Sequence, residues 1–205
     1  MTVLLARHGE VEGISPERFR GRTDVELTER GLQQATALAR AVVAAGTPSA
    51  IYASPLRRCI ATAAKISELC GLESKVAECL TDIDYGEWQW QTVEELSRRD
   101  PDALARWYSA PDEVRFPGGE SLQDVGVRAA DALRLMRSFF PGNRVVFVTH
   151  DTVIRVLLLY ALSAPLASYW KLAQAPCALN ELVLTEMGTR LERMNDTEHL
   201  NSLAD

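Results

Sequence analysis

The sequence predicts an α/β fold, a three-layer sandwich in which a mostly parallel central sheet carries helices on both faces. Three observations predict it. The short runs Val3 to Ala6, Ala50 to Ala53 and Val145 to Val148 are apolar without polar alternation, the pattern of strands buried on both faces. Segments with helical apolar spacing alternate with these runs. The helical segments open on Ser, Thr or Asp or close on Gly, which are the ordinary start and stop signals.

Val3 to Ala6 is the first strand, and the polar run Arg7-His8-Gly9-Glu10 places Arg7 and His8 where that strand ends. In open α/β sheets ligands bind at that edge. From Gly9 to Glu26 there is no apolar period, so this stretch reads as a loop over the strand end. Thr28 caps a helix whose Leu32, Ala35, Leu38, Ala39, Val42 and Val43 form one stripe, ended by Gly46 and Pro48. After the strand Ala50 to Ala53, Ser54 as N-cap and Pro55 at the first helical position predict a helix to about Leu69, stopped by Gly71. Lys75 to Leu80 reads as a third strand. Thr92 with Glu95 is a capping-box pattern, and Asp100-Pro101 restarts a helix carrying Trp107 and Tyr108. Residues 85–117 are thus expected to cap the sheet. Ser121 with Asp124 opens a long helix with Leu122, Val125, Ala129, Leu133, Met136 and Phe140 toward the core, closed by Pro141-Gly142. Arg144 to Thr149 is the strongest strand, and a helix follows His150 through Leu162. Glu181 to Thr185 and Arg190 to Met194 form a terminal hairpin or strand extension.

A chain of 205 residues supports one sizeable core, so residues 1–205 are expected to form a single domain. The net charge of -6 and pI of about 5.2 argue against nucleic acid as a partner, because no basic stripe is available to neutralise a phosphate backbone. No basic-then-apolar leader opens the chain, and the longest apolar run, Val156 to Leu162, is too short to span a bilayer. The expectation is a cytoplasmic protein without membrane contact. Cys59, Cys70, Cys79 and Cys177 lack Cys-x-x-Cys spacing and read as reduced, mostly buried thiols.

Arg7 and His8 alone carry little information, but further motifs follow them. They are Ser54-Pro55-Leu56-Arg57-Arg58, Leu80-Thr81-Asp82 with Gly86-Glu87-Trp88, Gly118-Gly119-Glu120-Ser121, and Val145 to His150. In this order, from Leu4 to about Glu181, the sequence resembles the histidine phosphatase superfamily, also called phosphoglycerate-mutase-like. It is most similar to the phosphatase branch that includes alpha-ribazole phosphatases and broad-specificity phosphatases. The resemblance implies a phosphoglycerate-mutase-like sandwich and hydrolysis of a small phosphate monoester through a phosphohistidine, without metal or other cofactor. It implies His8 as nucleophile, Asp82 as proton donor, and Arg7, Arg58 and His150 as the phosphate cradle, with Ser-x-Leu-x-Arg selecting Arg58 over Arg57.

Asp82 stands where the family has Glu, one methylene longer, so Asp84, Glu87 and Glu120 remain alternative donors. Asp151 stands where Gly is usual, and Val11 and Ile14 where Thr and Asn are frequent. Glu10, Arg22, Glu120 and Asp151 are expected to contact substrate or support the pocket; Trp88, Trp90, Trp107 and Tyr108 are candidates for the leaving-group side, although aromatic residues more often belong to the core. With only His8, His150 and the tail residue His199, a zinc site lacks ligands. Mutase-type phosphoryl transfer and a degenerate phospholigand-binding module are the alternatives. The short cap favours hydrolysis. A homodimer is left open.

Overall fold

In the computed structural model, which describes residues 1–139 and 142–203, the chain forms one six-stranded sheet with helices on both faces. The strands are β1 (Thr2–Arg7), β2 (Ala50–Ala53), β3 (Ser74–Val76), β4 (Arg144–Thr149), β5 (Leu179–Thr185) and β6 (Gly188–Asp196), in the order β3-β2-β4-β1-β5-β6. β3, β2, β4 and β1 pair in parallel, and β5 and β6 add an antiparallel edge. The terminal hairpin is thus part of the sheet.

Side chains of β1 and β4 alternate between two cores, which is why neither strand alternates in polarity. Val3, Leu5, Val145 and Phe147 pack into one core with Leu122, Val125 and Ala129 of α5 (Leu122–Arg137) and Val153 and Leu157 of α6 (Asp151–Ala161). Leu4, Ala6, Val146 and Val148 enter the other with Ala35, Leu38 and Val42 of α1 (Glu29–Ala44) and Cys59, Ala63 and Ile66 of α2 (Arg57–Cys70). α6 buries every residue from Thr152 to Leu159, so it lies inside the molecule. Among the described residues, no helix is long and apolar enough to cross a membrane.

Local chemistry explains the boundaries. Thr28 accepts from the Gly31 N–H to cap α1. Thr92 with Glu95, and Ser121 with Asp124, form full capping boxes at α3 (Val93–Arg99) and α5. Asp100 caps α4 (Pro101–Ser109), whose first residue is the proline. α2 departs from expectation: its N-cap is Leu56, without a side-chain bond, because Ser54 is engaged by His150 and only Leu56 to Arg58 turn into the helix. Its end at Gly71, in the left-handed region, is as expected. The third strand is shorter than the sequence implies, since Glu78–Leu80 tightens into a 3-10 turn. Leu32 is exposed on α1, while Gly31 and Gln34 are buried. Phe140 and Pro141 lie outside the described residues. All four cysteines are unpaired, with Cys59 and Cys177 buried and Cys70 and Cys79 half-buried.

Candidate active site

The parallel strands end on one side of the sheet, and there the chain gathers its buried polar residues. In the β1–β4 register Arg7 faces Thr149, so His8 and His150 come next, one residue past each strand end. The His8 N–H donates to the Thr149 carbonyl at 3.0 Å and its carbonyl accepts from Cys177 N–H at 3.1 Å, which locks the backbone at position 8. The two rings lie edge to face with centroids 5.2 Å apart. Gly9 is required by close approach: a Cβ there would stand 2.5 Å from the Gly31 carbonyl oxygen at the start of α1.

His8 Nδ1 lies 2.7 Å from the Gly9 carbonyl oxygen. A carbonyl only accepts, so Nδ1 carries the hydrogen and Nε2 is left with its lone pair. Burial, then Arg58 and Arg7, hold His8 well below its usual 6.5, against the opposing pull of the Gly9 bond. His150 is lowered in the same way by burial, Arg58 and His8. Both imidazoles are therefore neutral at neutral pH.

Arg58 is fully buried in the first turn of α2. It donates from Nε to His150 Nδ1 at 3.2 Å, from Nη2 to Asp82 Oδ2 at 3.2 Å and the Gly21 carbonyl at 2.6 Å, and from Nη1 to the Thr23 carbonyl at 2.8 Å. Since His150 Nδ1 accepts, its Nε2 donates to Ser54 Oγ at 2.7 Å. Arg57, one residue earlier, turns outward to Asp24 and Glu26. Burial raises the Asp82 pKa, and Arg58 and the Ile83 N–H pull it back without reversing the shift. Asp84 is spent on the Gly86 N–H and Arg22.

Arg7, His8 and Asp82 share one cavity with Arg20, Asp151 and Arg155, and Tyr85, Trp107, Tyr108, Tyr169 and Trp170 form its aromatic walls. Burial lowers Arg20 to about 10, with Arg7 pushing the same way and Asp82 opposing, so it remains a cation. Arg7 donates to the Gln174 carbonyl, and its buried Nε has no partner. Arg58 and His150 are fully buried and directly back the cavity, Arg58 on Asp82 and His150 on the His8 ring. Among the described residues, no group of three or more His, Cys, Asp and Glu could hold a metal ion.

Several expected pocket residues lie elsewhere. Glu10 faces Thr28 at the start of α1 and is outside the cavity. Trp88 is core, packed on Phe19 and Phe116, and Trp90 lies against Arg18. Arg22 and Glu120 brace from outside: Glu120 accepts from Arg22, Arg128 and the Asp84 N–H, and Arg128 also donates to the Thr81 and Asp82 carbonyls. Burial works against ionised Glu120, but the Arg128 and Asp84 bonds outweigh it and lower its pKa.

A model of the histidine phosphatase superfamily (branch 1) matches residues 3–197. The chain belongs to that superfamily. This histidine phosphatase is 32% identical over 198 residues to phosphoserine phosphatase 1 of Hydrogenobacter thermophilus, covering 97% of this chain and 93% of the relative. It is 30% identical to the metal-independent phosphoserine phosphatase of Arabidopsis thaliana over 203 residues, 98% and 84% of the two chains. The solved structure of a mycobacterial glucosyl-3-phosphoglycerate phosphatase with VO3 superposes with a TM-score of 0.88 at 28% identity, covering 96% of this chain and 99% of that one.

The neutral imidazoles make the stability of the histidine phosphatase pH-dependent. Unfolded imidazoles protonate near 6.5 and the folded ones resist, so below 6.5 the unfolded chain binds more protons and stability falls with pH. Asp82, raised above 3.8, acts oppositely, adding stability at low pH that is lost as pH rises through its folded value. The urea midpoint should drop from about pH 7.5 to about pH 5, and less in His8→Asn, which removes one titrating ring. An equal drop in the variant would remove His8 from this account.

Proposed function

We propose that His8 is phosphorylated at Nε2 during hydrolysis of a small phosphate monoester. The observation that carries the reading is the Gly9 carbonyl on His8 Nδ1, which leaves a neutral ring nitrogen beside guanidinium groups. Nε2 attacks phosphorus, the ester P–O bond breaks, and the leaving oxygen takes a proton from Asp82. Asp82, now a carboxylate, accepts a proton from water, and the hydroxide displaces phosphate from His8 and restores the neutral ring.

In this reading Arg7 and Arg58 hold the phosphoryl oxygens, since guanidinium forks match phosphate and stay charged. Arg58 is bonded to Asp82 before substrate arrives. An incoming phosphoryl dianion competes for Arg58 Nη2, and its negative charge raises the proton affinity of the carboxylate it displaces. Binding would thereby load the acid. Residues 85–117 serve as the cap of a single catalytic domain, with Trp107 and Tyr108 over the leaving group. The relatives named for phosphoserine and glucosyl-3-phosphoglycerate support a small metabolite as substrate. A screen of metabolite phosphates with and without chelator tests this: chelator-insensitive turnover supports it, and phosphate binding without turnover would favour the binding-module reading.

Arg7→Ala should lower hydrolysis more than tenfold, as expected for loss of a charge-assisted bond of about 1.5–3 kcal/mol. Arg58→Ala should do the same and also lose about 3–5 kcal/mol of stability, because Asp82 then stays buried without its cation. Arg57→Ala removes only exposed ion pairs and should change either quantity little. Paired kinetics and urea titrations check this, and a larger loss at Arg57 than at Arg58 would reassign the clamp.

A further inference from the structure

Arg155 interrupts the apolar run Val153 to Leu159 of α6, and the phosphoryl chemistry makes no use of it. It lines the cavity that holds His8 and is 8% exposed, and its Nη1 has no hydrogen-bond partner. Its plane is fixed: the guanidinium lies 4.7 Å from the Tyr169 ring centroid and 4.9 Å from that of Trp170. One turn back on α6, Asp151 Oδ1 stands 2.7 Å from Arg155 Nε, although neither atom forms an aligned hydrogen bond. The carboxylate that replaces a usual glycine therefore stands between two cations of the cavity, with Oδ1 on Arg155 and Oδ2 3.9 Å from Arg7 Nη1.

We propose that Arg155 binds a carboxylate on the leaving group, so that the substrates are O-phosphorylated hydroxy acids. The proposal rests on His8 and Arg7 taking the phosphoryl end in the same cavity. A buried guanidinium with an unpartnered edge lacks an acceptor, and a carboxylate supplies two oxygens in matching geometry. Asp151, shared between Arg155 and Arg7, offsets part of the charge at this end of the cavity, which suits a monoanion and opposes a second phosphate dianion. It also leaves an acceptor for a hydroxyl or ammonium beside the substrate carboxylate. Tyr169 and Trp170 pack against the guanidinium and hold its orientation.

The test compares substrates that differ only in the carboxylate: O-phosphoserine against phosphoethanolamine, and 3-phosphoglycerate against glycerol 1-phosphate, with p-nitrophenyl phosphate as common reference. The wild-type protein should favour the carboxylate member of each pair by about 10- to 100-fold in kcat/KM. Arg155→Gln should abolish that preference, mostly through KM, and leave p-nitrophenyl phosphate hydrolysis within about threefold. Arg155→Lys, which keeps the charge without the fork, should restore part of it. Equal wild-type kcat/KM within each pair, or equal losses on all substrates in a folded Arg155→Gln, would overturn the proposal while leaving the phosphohistidine reading intact. If p-nitrophenyl phosphate itself is not hydrolysed, the phosphohistidine reading fails, and calorimetric binding of the same pairs decides the role of Arg155 by the same preference.

Discussion

His8→Ala is expected to lower phosphate-monoester hydrolysis by about 10⁴-fold or more, the scale seen when a covalent nucleophile is removed. Arg7, Arg20, Arg58 and Asp82 all remain, so a phosphate ester should still bind. The fold should survive, because position 8 is held by main-chain bonds to Thr149 and Cys177 that do not involve the ring. Steady-state assays on p-nitrophenyl phosphate and a calorimetric phosphate titration separate the two effects. Near-wild-type turnover in the variant would show that the phosphoryl group never passes through His8.

Asp82→Asn is expected to discriminate between leaving groups. A positioned acid contributes about 10²–10⁴-fold, and the need grows with the basicity of the departing oxygen. A nitrophenolate leaves with little help, whereas a sugar or glycerate alkoxide does not. Phosphohistidine formation should therefore slow far more with alkyl than with aryl phosphates. The aryl substrate should then accumulate phosphoenzyme, because the same carboxylate activates water. Asp84→Asn and Glu120→Gln are the comparisons, since both carboxylates are held in structural bonds. Single-turnover rates on both substrate types decide it. Equal losses at Asp82, with a leaving-group-dependent loss at Asp84 or Glu120, would move the acid role.

The strands and caps were legible because their causes are local. Thr28, Thr92 and Ser121 cap the helices they precede, and the unbroken apolar runs of β1 and β4 reflect burial on two faces. Ser54 misled because its hydroxyl has a stronger claim on it: His150 Nε2, 96 residues away, which no local pattern reveals. The same holds for the site. His8, Arg58 and His150 were marked by strand ends and motif spacing, and the structure brings them together with Asp82. Arg20 lies in a loop without periodicity, so only the fold turns it toward His8. Arg155 did leave a signal, a lone cation within Val153 to Leu159, but its partners Tyr169 and Trp170 come from a separate 3-10 turn. Trp88 and Trp90 illustrate the reverse: an aromatic cluster near a motif packs the core as readily as it lines a pocket.

The central claim is that phosphorus is transferred to Nε2 of His8, and rapid-quench labelling tests it most directly. Wild-type protein mixed with a ³²P-labelled monoester should yield, within one turnover, acid-labile and base-stable label that maps to the peptide containing His8. His8→Ala should yield none, and Asp82→Asn should retain the label longer. Label on another residue, or label of equal amount in His8→Ala, would contradict the account.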